Sequence, residues 1–308
     1  MTMEILQSAN VQWVLFSTLM LGLASGTIGC LAYWKRQSLI SDALSHAALP
    51  GVVIAFAWSG SKNMPVMIAG AAISAVLGAC LIQMIRSSSR IKEDTAMGMI
   101  LSVFFGLGIM LLTMVNRTGG GNQSGLDGFI FGQAASMVRK DAGTMLVLAA
   151  VVLLAVFFAF KEWKLFLFDP GFAAGLGLSN RLMNSVYMGV LVLVIVIGIQ
   201  AVGVVLMAAL LITPSVSARY WTKSFKWMTV VSALFGGAAG MAGTLISTMG
   251  EGWPTGPFIV LASTTLFVGS LLFGAEKGLV ARALQLRIQR KQLACAEAKS
   301  LEGGGGTG

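Results

Sequence analysis

Apolar residues recur along this chain in blocks of about twenty, separated by short polar or basic breaks. A block of that length, coiled as a helix, matches the hydrocarbon thickness of a bilayer. The first runs from Val11 to Tyr33 and ends at Trp34-Lys35-Arg36. The second reaches Trp58, the third runs from Pro65 to Ile85, and the fourth from Glu93 to Val115. The fifth covers Ala142 to Phe160 and the sixth Met183 to Gln200, with Met228 to Thr248 and Pro254 to Phe273 closing the series. Ala201 to Ala218 is also apolar, but Gly203, Thr213 and Pro214 interrupt it, so an irregular or broken span is expected there. The pattern predicts an all-α polytopic membrane protein with 8–9 transmembrane helices. Between the blocks, Asn116 to Gly128 reads as an exposed loop, Phe129 to Val138 as a short interfacial or re-entrant piece, and Lys161 to Arg181 as a polar interlude.

Composition sharpens this picture. Charged residues are 11% of the chain against about 25% in a soluble domain, and mean hydropathy is +0.83. The net charge of +9 invites a nucleic-acid partner. The basic residues, however, lie in short loops and the tail, which is the positive-inside pattern, so no nucleic acid is expected and membrane lipid is. With nine crossings, the clusters at Lys35, Arg86/Arg90/Lys92, Lys161/Lys164, Arg219/Lys223/Lys226 and the tail share the cytoplasmic side, and the N-terminus lies outside. Arg117 and Arg139-Lys140 fall on the other side. The first block lacks a basic leader, so no signal peptide is expected. Cys30, Cys80 and Cys295 form no CxxC and support no disulfide framework. The chain divides into a transmembrane domain over 1–276 and a basic cytoplasmic tail over 277–308 whose Gly-rich end is expected to be disordered.

The stretch Asp42-Ala43-Leu44-Ser45-His46-Ala47-Ala48-Leu49-Pro50-Gly51 holds the only histidine in the chain. Residues four apart share a helical face, so Asp42 and His46 can present a carboxylate and an imidazole to one point. Pro50 has no N–H, so a helix running through it leaves the His46 carbonyl without its usual partner. These groups suit a divalent metal of borderline hardness. The same residues also fit a packed histidine and an aspartate capping a helix at the membrane boundary.

Further along, Asp169 is a good N-cap, Pro170 a good first helical residue and Gly177 a good terminator. They predict a helix of about two turns with Phe172 and Leu176 on one face, either lying on the membrane or docking a cytoplasmic partner. Gly203 to Pro214 reads mainly as packing. No GxxxxGK[ST] is present, so the chain is expected to have no ATPase of its own, and with one histidine there is no HExxH. Intramembrane acids other than Asp42 are essentially missing, which is thin for a proton-driven carrier.

Taken together, Asp42 to Gly51, Glu93-Asp94-Thr95-Ala96-Met97-Gly98, Asp169 to Leu178 and Val202 to Ala218 resemble, in order, the permease subunits of ABC importers for manganese, zinc or iron. The resemblance implies a fold like a reduced version of the cobalamin and siderophore importer permeases. It implies a bacterial inner-membrane protein, not itself an enzyme, that works with a cytoplasmic ABC ATPase subunit, a metal-binding periplasmic protein or lipoprotein, and a second permease copy or paralogue. Asp42 and His46 of each copy would line the metal site, with the metal as substrate and no permanently bound cofactor. Asp169, Pro170, Phe172, Ala173, Leu176 and Gly177 would couple to the ATPase, and Glu251 and Trp253 are candidates for docking the binding protein. A proton-coupled secondary metal transporter is the main alternative, and a membrane enzyme using one metal is a third.

Overall fold

The computed structural model of the chain describes residues 9–60, 63–118, 132, 134, 137–250 and 253–281. In order, the helices are α1 (Ala9–Trp34), α2 (Ile40–Ser59), α3 (Met64–Ser88), α4 (Glu93–Thr118), α5 (Arg139–Phe158) and α6 (Phe160–Phe168). Then come α7 (Pro170–Gly175), α8 (Asn180–Val202), α9 (Val204–Arg219), α10 (Phe225–Thr248) and α11 (Thr255–Phe273). No strand occurs among the described residues. Eight of these helices are long and apolar enough to cross a membrane, and α9 is a shorter apolar helix of 16 residues.

Side-chain contacts sort the helix ends into two groups. At one end, Trp34 packs on Phe168 and Phe225, and Arg219 lies over the Trp34 ring. There too, Arg86 meets Glu93 and Lys223 meets Glu276. At the opposite end, Asn10 donates to the Met137 carbonyl, Arg139 sits over Trp13, and Ser247 donates to the Trp253 carbonyl. The first group carries most of the basic loop residues. α8 and α10 both start at that basic end, so α9 carries the chain back between them as a ninth crossing. The structure therefore decides between the 8 and 9 spans expected from the sequence.

The irregularity expected in Ala201–Ala218 is confined to one residue. Gly203, at φ +94°, breaks α8 from α9, and α9 then runs unbroken through Pro214. At 16 residues α9 is about 24 Å long, short of the ~30 Å hydrocarbon core. Gly132, at φ +74°, tucks against the α8–α9 corner, where an added Cβ would lie 2.3 Å from the Val202 carbonyl carbon. Of the expected Phe129–Val138 piece only Gly132, Ala134, Met137 and Val138 are described; Ala134 and Met137 are buried, Val138 is exposed, and the rest lies outside the described residues. The segment around α6 departs from expectation. The sequence predicts a polar interlude over Lys161 to Arg181, but α6 is a nine-residue amphipathic helix with Trp163 buried and Lys161 and Lys164 outside. Its charges obscured that pattern.

α1 is the central helix. It crosses α10 at backbone contact, because an added Cβ at Gly22 would lie 2.2 Å from the Gly236 carbonyl oxygen. Small residues four apart permit this approach where lipid offers no hydrophobic driving force between helices. The Ser232 hydroxyl donates to the Gly26 carbonyl at 2.7 Å and lies 2.9 Å from the Ser215 hydroxyl, tying α1, α9 and α10 together. α2 packs on α3 in the same manner: Ser74 donates to the Ala47 carbonyl at 2.6 Å. Among the described residues α4 packs chiefly on α2 and α3, and it is the least buried of the eight long helices.

Candidate functional site

α2 begins at Ile40, after a tight corner in which Arg36 adopts φ +58°. The amides of Arg36 and Gln37 donate to the Tyr33 and Ala32 carbonyls, the paired bonds that close a helix C-terminus when the residue after the cap is left-handed. Asp42 and His46 lie in the first two turns, so the imidazole is about 9 Å along the axis from the basic end.

The spacing of four puts the two side chains on one face, as the sequence predicts. His46 Nε2 is 3.4 Å from Asp42 Oδ1. The imidazole is 12% exposed and the carboxylate 35%. His46 Nδ1 has no hydrogen-bond partner among the described residues. The His46 ring stands in a T-shaped contact with Phe105 of α4, with centroids 4.8 Å apart at 75°. Pro50 is buried within the unbroken helix, so no amide N–H stands four residues beyond the His46 carbonyl. Asp42 does not cap the helix: the residue before α2 is Leu39, without a side-chain cap bond. An imidazole and a carboxylate thus share one helical face, and Pro50 removes the amide that would ordinarily pair with the His46 carbonyl. They do not complete a metal site within one chain. Among the described residues, no group of three or more His, Cys, Asp or Glu could hold an ion.

The predicted short helix is α7. Asp169 caps it, Oδ1 accepting from the Phe172 amide at 2.8 Å, with Pro170 in the first turn. Gly177, at φ +84°, ends the turn beyond it. Ala173 is buried, while Phe172 and Leu176 are 58% and 62% exposed on the outer surface of the basic end. Their apolar faces are available there because a six-residue helix cannot turn every side chain inward. At the opposite end Trp253 is half-exposed and stacks on Phe258 at 5.1 Å. Glu251 lies outside the described residues.

One group of residues escaped the sequence. Lys35 Nζ donates to Asn184 Oδ1 at 2.5 Å and lies 4.2 Å from the centre of the Tyr187 ring and 5.2 Å from that of Phe166. Gln37 Nε2 donates to Glu93 Oε1 at 2.5 Å, and Arg86 meets the same oxygen at 3.2 Å. Burial holds the Lys35 ammonium down to about 8, with Glu93 opposing and Arg86 reinforcing the shift. A lysine closing an apolar block was visible, but its partners 149 residues along the chain were not.

Comparison with known proteins gives this geometry its context. The sequence profile of the ABC 3 transport family matches residues 7–274. The manganese transport system membrane protein MntC of Bacillus subtilis is 48% identical over 287 residues, 93% of this chain and 66% of that protein. This chain thus spans just under two thirds of that relative. The zinc transport system membrane protein TroC of Treponema pallidum is 40% identical over 278 residues, 90% of this chain and 93% of the relative. Among solved structures, PsaBC from Streptococcus pneumoniae in complex with Fab superposes with a TM-score of 0.78 at 30% identity, covering 93% of this chain and 98% of that one.

Proposed function

This chain belongs to the ABC 3 transport family, and we propose that it is the membrane-spanning permease subunit of an ATP-binding-cassette importer whose cargo is a divalent metal ion. The observation that carries the metal assignment is the Asp42–His46 pair. A carboxylate oxygen and an imidazole nitrogen 3.4 Å apart on one helical face match the ligand preferences of manganese, zinc or ferrous iron. The relatives, one named for manganese transport and one for zinc transport, support the cargo class and leave the choice among these ions to measurement.

Two side chains are half of what a divalent ion needs, since closed sites supply four or more ligands. A second permease copy or a paralogue supplies the other half. Support comes from where the pair sits: His46 packs on Phe105, which faces outward on the least buried long helix. A second copy seated on α4 brings two carboxylates and two imidazoles together.

The basic end faces the cytoplasm on the positive-inside argument, which puts α7 there as the contact for a separate ATPase subunit. Phe172 and Leu176 are its apolar contacts, with Asp169, Pro170, Ala173 and Gly177 shaping the helix. A metal-binding protein outside the cytoplasm delivers the ion at the opposite end, where Trp253 is a docking residue, with Glu251, two positions before it in the sequence, as a second candidate. The membrane is the bacterial inner membrane. Family membership favours this arrangement over a proton-driven carrier, and the paucity of intramembrane acids points the same way.

The test is metal uptake by cells expressing the complete system, measured for manganese, zinc and iron. Wild type raises the content of one of these ions. Asp42→Ala and His46→Ala each abolish that rise while the complex still assembles. Normal uptake in either variant removes the metal assignment.

A further inference from the structure

We infer that Lys35 is a coupling residue. It holds both arms of the α6–α7–α8 hairpin against the corner from which α2 starts, so that displacement of α7 is passed to Asp42 and His46. This rests on the permease reading above and extends it to the route by which the ATPase contact reaches the metal pair.

Lys35 touches the chain on both sides of α7. Phe166 belongs to α6, two residues before the end of the helix that precedes α7, and Asn184 and Tyr187 belong to the first two turns of α8. One side chain therefore bridges the two arms that carry the short helix. The adjoining Trp34 reinforces the clasp, its ring 5.1 Å from that of Phe168, the residue just before the Asp169 cap. No carboxylate stands within ion-pair distance of the Lys35 ammonium among the described residues. An amide oxygen and two ring faces hold it instead, contacts that depend on geometry more than a simple ion pair would.

On the other side, the corner transmits motion because it is stiff. Arg36 in the left-handed region and the two bonds to Ala32 and Tyr33 fix its shape. Gln37 is buried and bound to Glu93, which Arg86 also holds, so the corner is anchored to the facing ends of α3 and α4. Asp42 comes seven residues after Lys35 and His46 one turn later. A tilt of α7 that moves Phe166 and Asn184 thus pulls on the start of the helix carrying both metal side chains, while α3 and α4 provide the fixed support.

The experiment uses the complete transporter, permeases and ATPase together, in vesicles. It measures ions imported per ATP hydrolysed, ATP turnover, and equilibrium metal binding. Lys35→Met is expected to lower the ions-per-ATP ratio at least tenfold, with ATP turnover and metal binding within twofold of wild type. Lys35→Arg, which keeps a cation for Asn184 and Tyr187, retains most of the ratio. An unchanged ratio in Lys35→Met overturns the inference, and so does joint loss of turnover, binding and import, which marks a merely structural role. Should Lys35→Met fail to assemble, Asn184→Leu removes the acceptor alone. A tenfold fall in its ratio supports the inference and an unchanged ratio overturns it. Asp42→Ala, run alongside, reports on the permease reading separately: import without the carboxylate defeats that reading whatever Lys35 does.

Discussion

His46 Nε2 faces Asp42 Oδ1 at 3.4 Å across one turn of α2, and the far nitrogen of the same ring, Nδ1, is buried without a partner among the described residues. Leaving a buried polar group unpaired costs about 1–3 kcal/mol, a cost that an ion or a partner subunit reaching this nitrogen would offset. This ring stands in a T-shaped contact with Phe105. Phe105→Ala should loosen the ring without touching either ligand. Metal affinity is expected to fall about tenfold, with ATP turnover unchanged, as measured by equilibrium binding to the purified complex.

The outward side chains of α7 predict a separable defect. Phe172→Ala with Leu176→Ala removes apolar surface that the chain itself does not bury. Thermal unfolding of the permease should shift by less than about 0.5 kcal/mol, as for other surface changes. Co-purification of the ATPase should fall tenfold or more. Retained ATPase binding would show that α7 is not the contact.

The α1–α10 crossing predicts the opposite kind of effect. Gly236→Val places a branched side chain where an added Cβ already meets the Gly22 carbonyl oxygen at 2.2 Å. Two backbones must separate, and the cost should be about 3 kcal/mol. Purified yield and melting temperature report it, and a normal melting temperature would contradict the close crossing.

Lys35 predicts a pH dependence whose two readouts move in opposite directions. Its ordinary value of 10.5 applies in the unfolded chain, and burial brings it to about 8 in the folded one. Between those values the unfolded state holds a proton that the folded state has released. The contribution of this group to stability therefore rises with pH across the window. Coupling should fall instead, because deprotonation removes the charge that faces Tyr187, with Glu93 and Arg86 the other charged groups nearby. The ions-per-ATP ratio should drop with a midpoint near 8 in wild type and show no such midpoint in Lys35→Arg. A flat wild-type ratio from pH 7 to 9 would count against the coupling role.

Much of this was legible in the sequence because bilayer thickness imposes its own length on apolar blocks. The long helices follow from that constraint. The spacing of Asp42 and His46, the Pro50 position and the capping of α7 by Asp169 all follow from local rules. What could not be read is of two kinds. α6 reads as part of a polar interlude because Lys161, Glu162 and Lys164 interrupt its apolar residues, and only the burial of Trp163 exposes its amphipathic face. The grip of Lys35 on Asn184, and the contact of His46 with Phe105, depend on which helices become neighbours. No local spacing encodes that. The crossing number was settled by geometry as well, since α9 is too short to be recognised by length but must return the chain to the basic end.

The most direct measurement is the metal content of the purified permease assembly, counted per chain and compared with that of His46→Ala. The account predicts one divalent ion for every two permease chains and essentially none in the variant. One ion bound by each chain alone, or an unchanged metal content in His46→Ala, would contradict it.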